Sequence, residues 1–205
     1  MNLVWALAIG YLIGSINPAI IVSKILGTDI RKHGSGNAGA TNTYRTLGAG
    51  PAFAVLLGDI LKGILAVVLA NILFGDTNYA EVCAGIGAVM GHNFPLYFGF
   101  KGGKGVLTSL AVAFVIQPWA ALIALAVGVG VIVATKYVSL GSMVGAAVLV
   151  ISSIVMAIVN HANVPALLFA IFAAILVIAR HYQNILRLLS GTERKFGRSK
   201  GRNQN

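Results

Sequence analysis

The stretch VLTSLAVAFVIQPWAALIALAVGVGVIVATK, residues 106–136, decides how many times this chain would cross a membrane. It holds no charged residue before Lys136 and admits two parses: one long helix, or two short ones parted at Gln117-Pro118. Proline removes a backbone donor and restricts the residue before it, so a break there is sterically natural. The distribution of charge along the rest of the chain chooses between the two.

The composition already places the chain in a bilayer. It is 58% hydrophobic and 10% charged, with a mean hydropathy of +0.87, whereas soluble domains carry roughly 25% charged residues. Apolar segments fall at about 2–23, 51–74, 79–98, 106–117, 119–135, 138–159 and 164–181. Spanning takes roughly 20 apolar residues, fewer where a helix meets a locally thinned bilayer. With seven spans and the N-terminus outside, every lysine and arginine except Lys62 falls on the cytoplasmic side, and Lys62 lies within a span. Merging 106–135 into one span would move Lys136 and the basic tail 190–205 outside. The positive-inside rule therefore predicts an all-α integral membrane protein with seven transmembrane helices, N-terminus outside and C-terminus cytoplasmic. One membrane domain would cover residues 1–205. The external loops, GDTNYAE, QP and NHANV, would be short and free of Lys and Arg.

A net charge of +10 and a pI near 10.1 suit anionic headgroups and anionic substrates. No soluble basic domain exists to carry a nucleic-acid role. The single cysteine, Cys83, excludes an intrachain disulfide, and its apolar setting disfavours a thiol nucleophile. The N-terminal segment lacks a basic leader region and reads as a first span.

Three polar clusters lie on the expected cytoplasmic face. The first, HGSGNAGATNTYR at 33–45, contains Gly34, Gly36 and Gly39 in GxGxxG spacing, with Asp59 twenty residues on. No strand precedes the glycines and Asp59 falls in an apolar span, so a dinucleotide fold is rejected. What remains is a glycine-rich loop with Ser35, Thr41 and Asn42 as neutral donors and Arg45 as a fixed cation, suited to cradle an anion. The second, GHNFPLYFGFKGGKG at 91–105, sets Lys101 and Lys104 around Gly102 and Gly103. It is not a P-loop, because position 98 is Phe and Gly105 follows Lys104. The third, RHYQNILRLLSGTERK at 180–195, places His181 and Asn184 three apart on one helical face, with Arg180 and Arg187 near. Ser139 and Ser142 open a span from the same side.

Other candidates weigh less, with two histidines beside the clusters held in reserve. Asp59 and Lys62 form an i,i+3 pair inside a span and neutralise one another. His161 is external, and His33 and His92 abut the clusters. The five acids, Asp29, Asp59, Asp76, Glu81 and Glu193, are scattered and suggest no metal or paired-carboxylate site.

The three clusters, with the early GSINPA at 14–19, resemble the PlsY family of bacterial membrane acyl-phosphate:glycerol-3-phosphate acyltransferases. That resemblance implies seven helices in the bacterial cytoplasmic (inner) membrane, with a site open to the cytoplasm. It implies transfer of a fatty acyl group from acyl phosphate to the sn-1 hydroxyl of glycerol 3-phosphate, giving lysophosphatidic acid and phosphate in phospholipid synthesis. Membrane lipids and the enzyme that makes the acyl phosphate are the expected partners, with no metal and no cofactor. Gly34, Ser35, Gly36, Asn37, Gly39, Thr41 and Asn42 would cradle the acyl phosphate. Arg45, Gly102, Gly103, Lys104, Ser142, His181 and Asn184 would hold glycerol 3-phosphate. Ser35, Arg45, Lys104, His181 and Asn184 would carry the catalysis. No GxSxG appears, and the residues five after the four histidines are Ala38, Tyr97, Ala166 and Leu186, so HxxxxD thioester chemistry is absent. Because an acyl phosphate is already activated, direct transfer needs positioning and charge stabilisation, with a substrate phosphate or His181 taking the proton. The competing class is an anion transporter, whose site would lie near the bilayer midplane and open to both sides.

Overall fold

The computed structural model describes residues 2–75, 78–159 and 164–197. The expected loop residues 76–77 and 160–163, with His161 among them, and the tail from residue 198 lie outside the described residues. Ten α-helices and two short 3-10 turns occur among the described residues, and no strand.

The first apolar segment is broken. Helices α1 (Asn2–Gly14) and α2 (Pro18–Ile25) meet at Ser15–Asn17, where the Asn17 side chain accepts the Ile20 N–H and Pro18 opens α2. Helix α3 (Ala40–Leu47) occupies the end of the first polar cluster, which the sequence assigned to a loop. Helices α4 (Ala49–Phe74) and α5 (Asn78–Asn93) follow. The expected segment 79–98 therefore stops short: Phe94-Pro95 cannot extend it, and Leu96–Phe98 make a 3-10 turn. Helices α6 (Val106–Ile116) and α7 (Pro118–Thr135) part at Gln117, as the proline predicts. The half-buried side-chain amide at that break is satisfied within the fold: Gln117 Nε2 donates to the Ala166 carbonyl at 3.2 Å, and Oε1 accepts from Ser153 Oγ at 2.7 Å. Helix α8 spans Val138–Val159, and α9 (Val164–Arg180) turns by 57° into α10 (Tyr182–Leu189).

Four segments are long and apolar enough to cross a membrane: Asn2–Ile25, Ala49–Phe74, Pro118–Thr135 and Val138–Val159. The bent α9–α10 pair supplies a fifth if taken as one span. Helix α5 has 16 residues and α6 has 11, or about 24 and 17 Å at 1.5 Å per residue.

Small residues let these helices pack closely, as lipid-embedded helices require. Gly10 and Gly14 of α1 face Ala84 and Ala88 of α5, and a Cβ at either glycine would overlap the opposing backbone. Gly87 and Gly91 of α5 return the arrangement against Leu7, Tyr11 and Ser15. Val67, Val89, Val112, Leu149 and Phe169 join α4, α5, α6, α8 and α9 into one apolar core. The polar ends of α3, α4, α6, α8 and α10 are thereby gathered around one cleft.

Candidate active site

The first polar cluster is shaped by a single amide. Asn42, 1% exposed, accepts the Ser35 N–H at 2.9 Å, while its Nδ2 lies 3.0–3.2 Å from the carbonyls of Ile30, His33 and Asn37. Gly34 and Gly36 have φ of +62° and +71°, and a Cβ on Gly34 would overlap Asn42 Oδ1. The left-handed region favours glycine there. The loop is tied to the second cluster by Arg31, which pairs with Asp29 at 2.8 Å and donates to the Phe98 carbonyl at 2.9 Å.

The second cluster is fixed by packing. Gly102 N–H donates to Asn93 O at 3.2 Å and Gly103 N–H to His92 O at 3.1 Å. A Cβ on Gly102 would lie 2.6 Å from Pro95 Cδ, and one on Gly103 would overlap His92 Nε2. Arg180 donates to Gly103 O from both Nε (3.3 Å) and NH2 (3.1 Å). Lys104 leaves this clamped loop and points into the cleft, where Nζ donates to Asn184 Oδ1.

The third cluster is not one helix. It bends at His181, whose Nδ1 lies 2.7 Å from the Val177 carbonyl. A carbonyl only accepts, so Nδ1 carries the proton and Nε2 keeps its lone pair. Asn184 Nδ2 donates to Glu193 Oε1 at 2.6 Å, Ser139 Oγ donates to the same oxygen at 2.7 Å, and Arg187 Nε donates to Oε2 at 2.8 Å. Arg45 donates to the Arg194 carbonyl at 3.3 Å, and Tyr44 stacks on Phe196 at 5.2 Å. Residues 193–196 thus run along one edge of the cleft.

The cleft encloses about 440 Å³. Ser35, Asn37, Gly39, Thr41, Asn42, Arg45, Lys104, Ser142, His181 and Asn184 line it, so ten of the predicted site residues meet there. Gly34, Gly36, Gly102 and Gly103 are not in its wall: the first two shape their loop, and the last two spend their N–H groups on α5. Asp59, His92, Ser109, Ser139 and Glu193 are also in the wall. The sequence gives no sign that Glu193 turns inward, since its partners come from α8 and α10. Ser109 is 4% exposed and its Oγ has no hydrogen-bond partner among the described residues; the only sequence cue is a hydroxyl five residues past Lys104. Leu107, Leu110, Leu125, Val129, Leu149 and Val177 make the other limb apolar.

The electrostatics favour an anion. Lys62 answers Asp59 at 2.9 Å and Arg187 answers Glu193, leaving Arg45 and Lys104, among the described residues, as the cations facing the cleft without a carboxylate of their own. Burial pulls Lys104 down to about 8; Glu193 opposes that, and Arg187, Arg180 and Arg45 reinforce it. Burial also lowers Arg45. Burial raises the Glu193 carboxyl, but hydrogen bonds from Arg187, Ser139 and Asn184 outweigh it and hold it below the usual range.

The chain matches the glycerol-3-phosphate acyltransferase family over residues 4–191. It is 49% identical to a glycerol-3-phosphate acyltransferase of Halalkalibacterium halodurans, across 98% of each chain. A protein of that name from Clostridioides difficile is 47% identical across 94% of each. Among solved structures, PlsY, an integral membrane glycerol 3-phosphate acyltransferase, superposes in its glycerol 3-phosphate form with a TM-score of 0.86. Identity to it is 38%, over 96% of both chains. Its lysophosphatidic acid form gives 0.83.

Proposed function

The chain belongs to the PlsY family of glycerol-3-phosphate acyltransferases, and on that premise we propose that it transfers a fatty acyl group from acyl phosphate to the sn-1 hydroxyl of glycerol 3-phosphate. The observation that carries this is the two-ended cleft: Arg45 and Lys104 at a polar mouth that continues into an apolar limb. A phosphate suits the first and an acyl chain the second. Relatives named for glycerol 3-phosphate acylation, one solved with glycerol 3-phosphate and with lysophosphatidic acid, support the acceptor and the product class.

Ser35, Asn37, Gly39 and Thr41 would face the acyl phosphate, on a loop that Asn42, Gly34 and Gly36 hold in shape. Arg45, Lys104, Ser142, His181 and Asn184 would hold glycerol 3-phosphate, with Gly102 and Gly103 fixing the loop that presents Lys104. The sn-1 oxygen attacks the acyl carbonyl carbon, the carbon–oxygen bond to phosphate breaks, and phosphate leaves with the electron pair. The hydroxyl proton passes to a substrate phosphate or to His181 Nε2. No acyl-enzyme forms. Holding both reactants in contact supplies on the order of 7–11 kcal/mol of the barrier reduction.

In the same proposal the chain is one domain with seven spans in the bacterial inner membrane, N-terminus outside, its cleft open to the cytoplasm. Each of the seven apolar segments forming a helix or a broken helix supports that topology, as does the one-sided placement of Lys and Arg. An enzyme making acyl phosphate would supply the donor. The test is formation of lysophosphatidic acid by purified protein from glycerol 3-phosphate and long-chain acyl phosphate. No product, together with uptake of glycerol 3-phosphate into proteoliposomes, would replace the enzyme with a transporter.

A further inference from the structure

At the wall of the cleft lies a buried cluster that the reaction outlined above does not use. Lys62 Nζ is 2.9 Å from Asp59 Oδ1, 2.8 Å from His92 Nδ1 and 3.0 Å from the Ile16 carbonyl oxygen. Asp59, Lys62 and His92 are each at most 5% exposed. An ammonium has three hydrogens and no lone pair, so these three acceptors use it fully. Nδ1 of His92 also lies 3.1 Å from Asp59 Oδ1, but the ammonium is nearer and can only donate, so Nδ1 accepts from it and the ring proton resides on Nε2.

His92 forms part of the cleft wall together with Asp59. Its Nε2 has no hydrogen-bond partner among the described residues, since both ring contacts run through Nδ1. That edge rests against Gly103, at the point where a Cβ would lie 2.6 Å from the Ala38 carbonyl. The ring therefore sits at the seam of the two glycine-rich loops. Donors that are fixed before the reaction, in a dry site, stabilise developing charge without reorganising. A neutral donor suits a carbonyl oxygen, while the cations at the mouth suit phosphates.

We propose that His92 is a catalytic residue: its Nε2–H, oriented by Lys62, which Asp59 holds in place, donates to the acyl carbonyl oxygen of the donor as negative charge builds there. This rests on the acyl-transfer function proposed above. His92 keeps its proton throughout; the hydroxyl proton goes to phosphate or His181, and the carbonyl reforms as phosphate leaves.

The test compares purified His92→Met and His92→Gln with wild type for kcat, KM and melting temperature. Glutamine can accept from Lys62 through Oε1 and donate through Nε2, whereas methionine can do neither. We expect His92→Met to lose roughly 30-fold or more in kcat, with KM for glycerol 3-phosphate within about twofold, and His92→Gln to recover most of kcat. Nitrogen-15 NMR of the wild-type ring, which needs no variant to fold, should show a neutral Nε2–H tautomer. Wild-type kcat in His92→Met, equal loss in both variants at equal melting temperature, or an Nδ1–H tautomer would each overturn the assignment. Acyl transfer by wild type with an unaffected His92→Met refutes His92 alone; no transfer by wild type removes the function and this inference with it.

Discussion

Lys104 and Asn184, eighty positions apart, are joined by a hydrogen bond from Nζ to Oδ1, and Asn184 passes the contact on to Glu193 through Nδ2. The amide is thereby oriented, with its oxygen on the cation and its nitrogen on the carboxylate. The cation from the second cluster is held by one residue of the third, which a second residue of that cluster holds in turn.

That cation titrates near working pH. Lys104, drawn down to about 8 mainly by burial, binds phosphate only while protonated. The profile of kcat/KM for glycerol 3-phosphate reports the free enzyme, and it should fall above about pH 8. Lys104→Arg should push that limb beyond pH 10, because arginine stays charged. Stability runs the other way. Between about 8 and 10.5 the unfolded chain binds more protons at this site than the folded one, so the contribution of Lys104 to stability rises with pH. A melting temperature that drops in step with kcat/KM would point to unfolding instead.

Glu193 is expected to matter for stability first. Its side chain is 5% exposed and receives Arg187, Ser139 and Asn184. Glu193→Gln should cost about 1–3 kcal/mol, read as a lower melting temperature with a raised KM. Because its folded carboxyl lies below the usual range, this contribution is present at neutral pH and is lost as pH falls through the folded value. An unchanged melting temperature would show that residues 193–196 are not anchored as described.

Gly103 separates packing from ligand contact. A Cβ there meets His92 Nε2 and the Ala38 carbonyl oxygen, so Gly103→Ala should lower the melting temperature and kcat together. Raised KM at unchanged melting temperature would instead put the glycine against phosphate.

Topology can be read by labelling. A cysteine at Asn78 should react with an impermeant reagent on intact cells, in a background where Cys83 is replaced by serine, and one at Ser35 should not. Labelling of both from outside would reverse the sidedness.

Much of this was legible in the sequence because it is local. The break at Gln117-Pro118 and the Asp59–Lys62 pair follow from chain neighbours, and both are present. The eight residues of α3 were not legible: Ala40–Leu47 is short, rich in Thr and Asn, and starts at a glycine without a side-chain cap. The bend at His181 carries no Gly or Pro to announce it. His92 joins Asp59 and Lys62 across thirty or more positions, a tertiary relation that no spacing encodes. Gly102 and Gly103 look identical in sequence whether their N–H groups face a phosphate or, as here, carbonyls of α5.

The central claim is that the cleft takes a donor whose acyl group is already activated by phosphate. The most direct test is a donor comparison with purified protein, glycerol 3-phosphate, and acyl phosphate, acyl-CoA or acyl carrier protein thioester of one chain length, without nucleotide. Lysophosphatidic acid should form from acyl phosphate with a kcat/KM at least ~100-fold above either thioester, a difference of about 2.7 kcal/mol in transition-state stabilisation. Comparable rates with acyl-CoA would contradict the account.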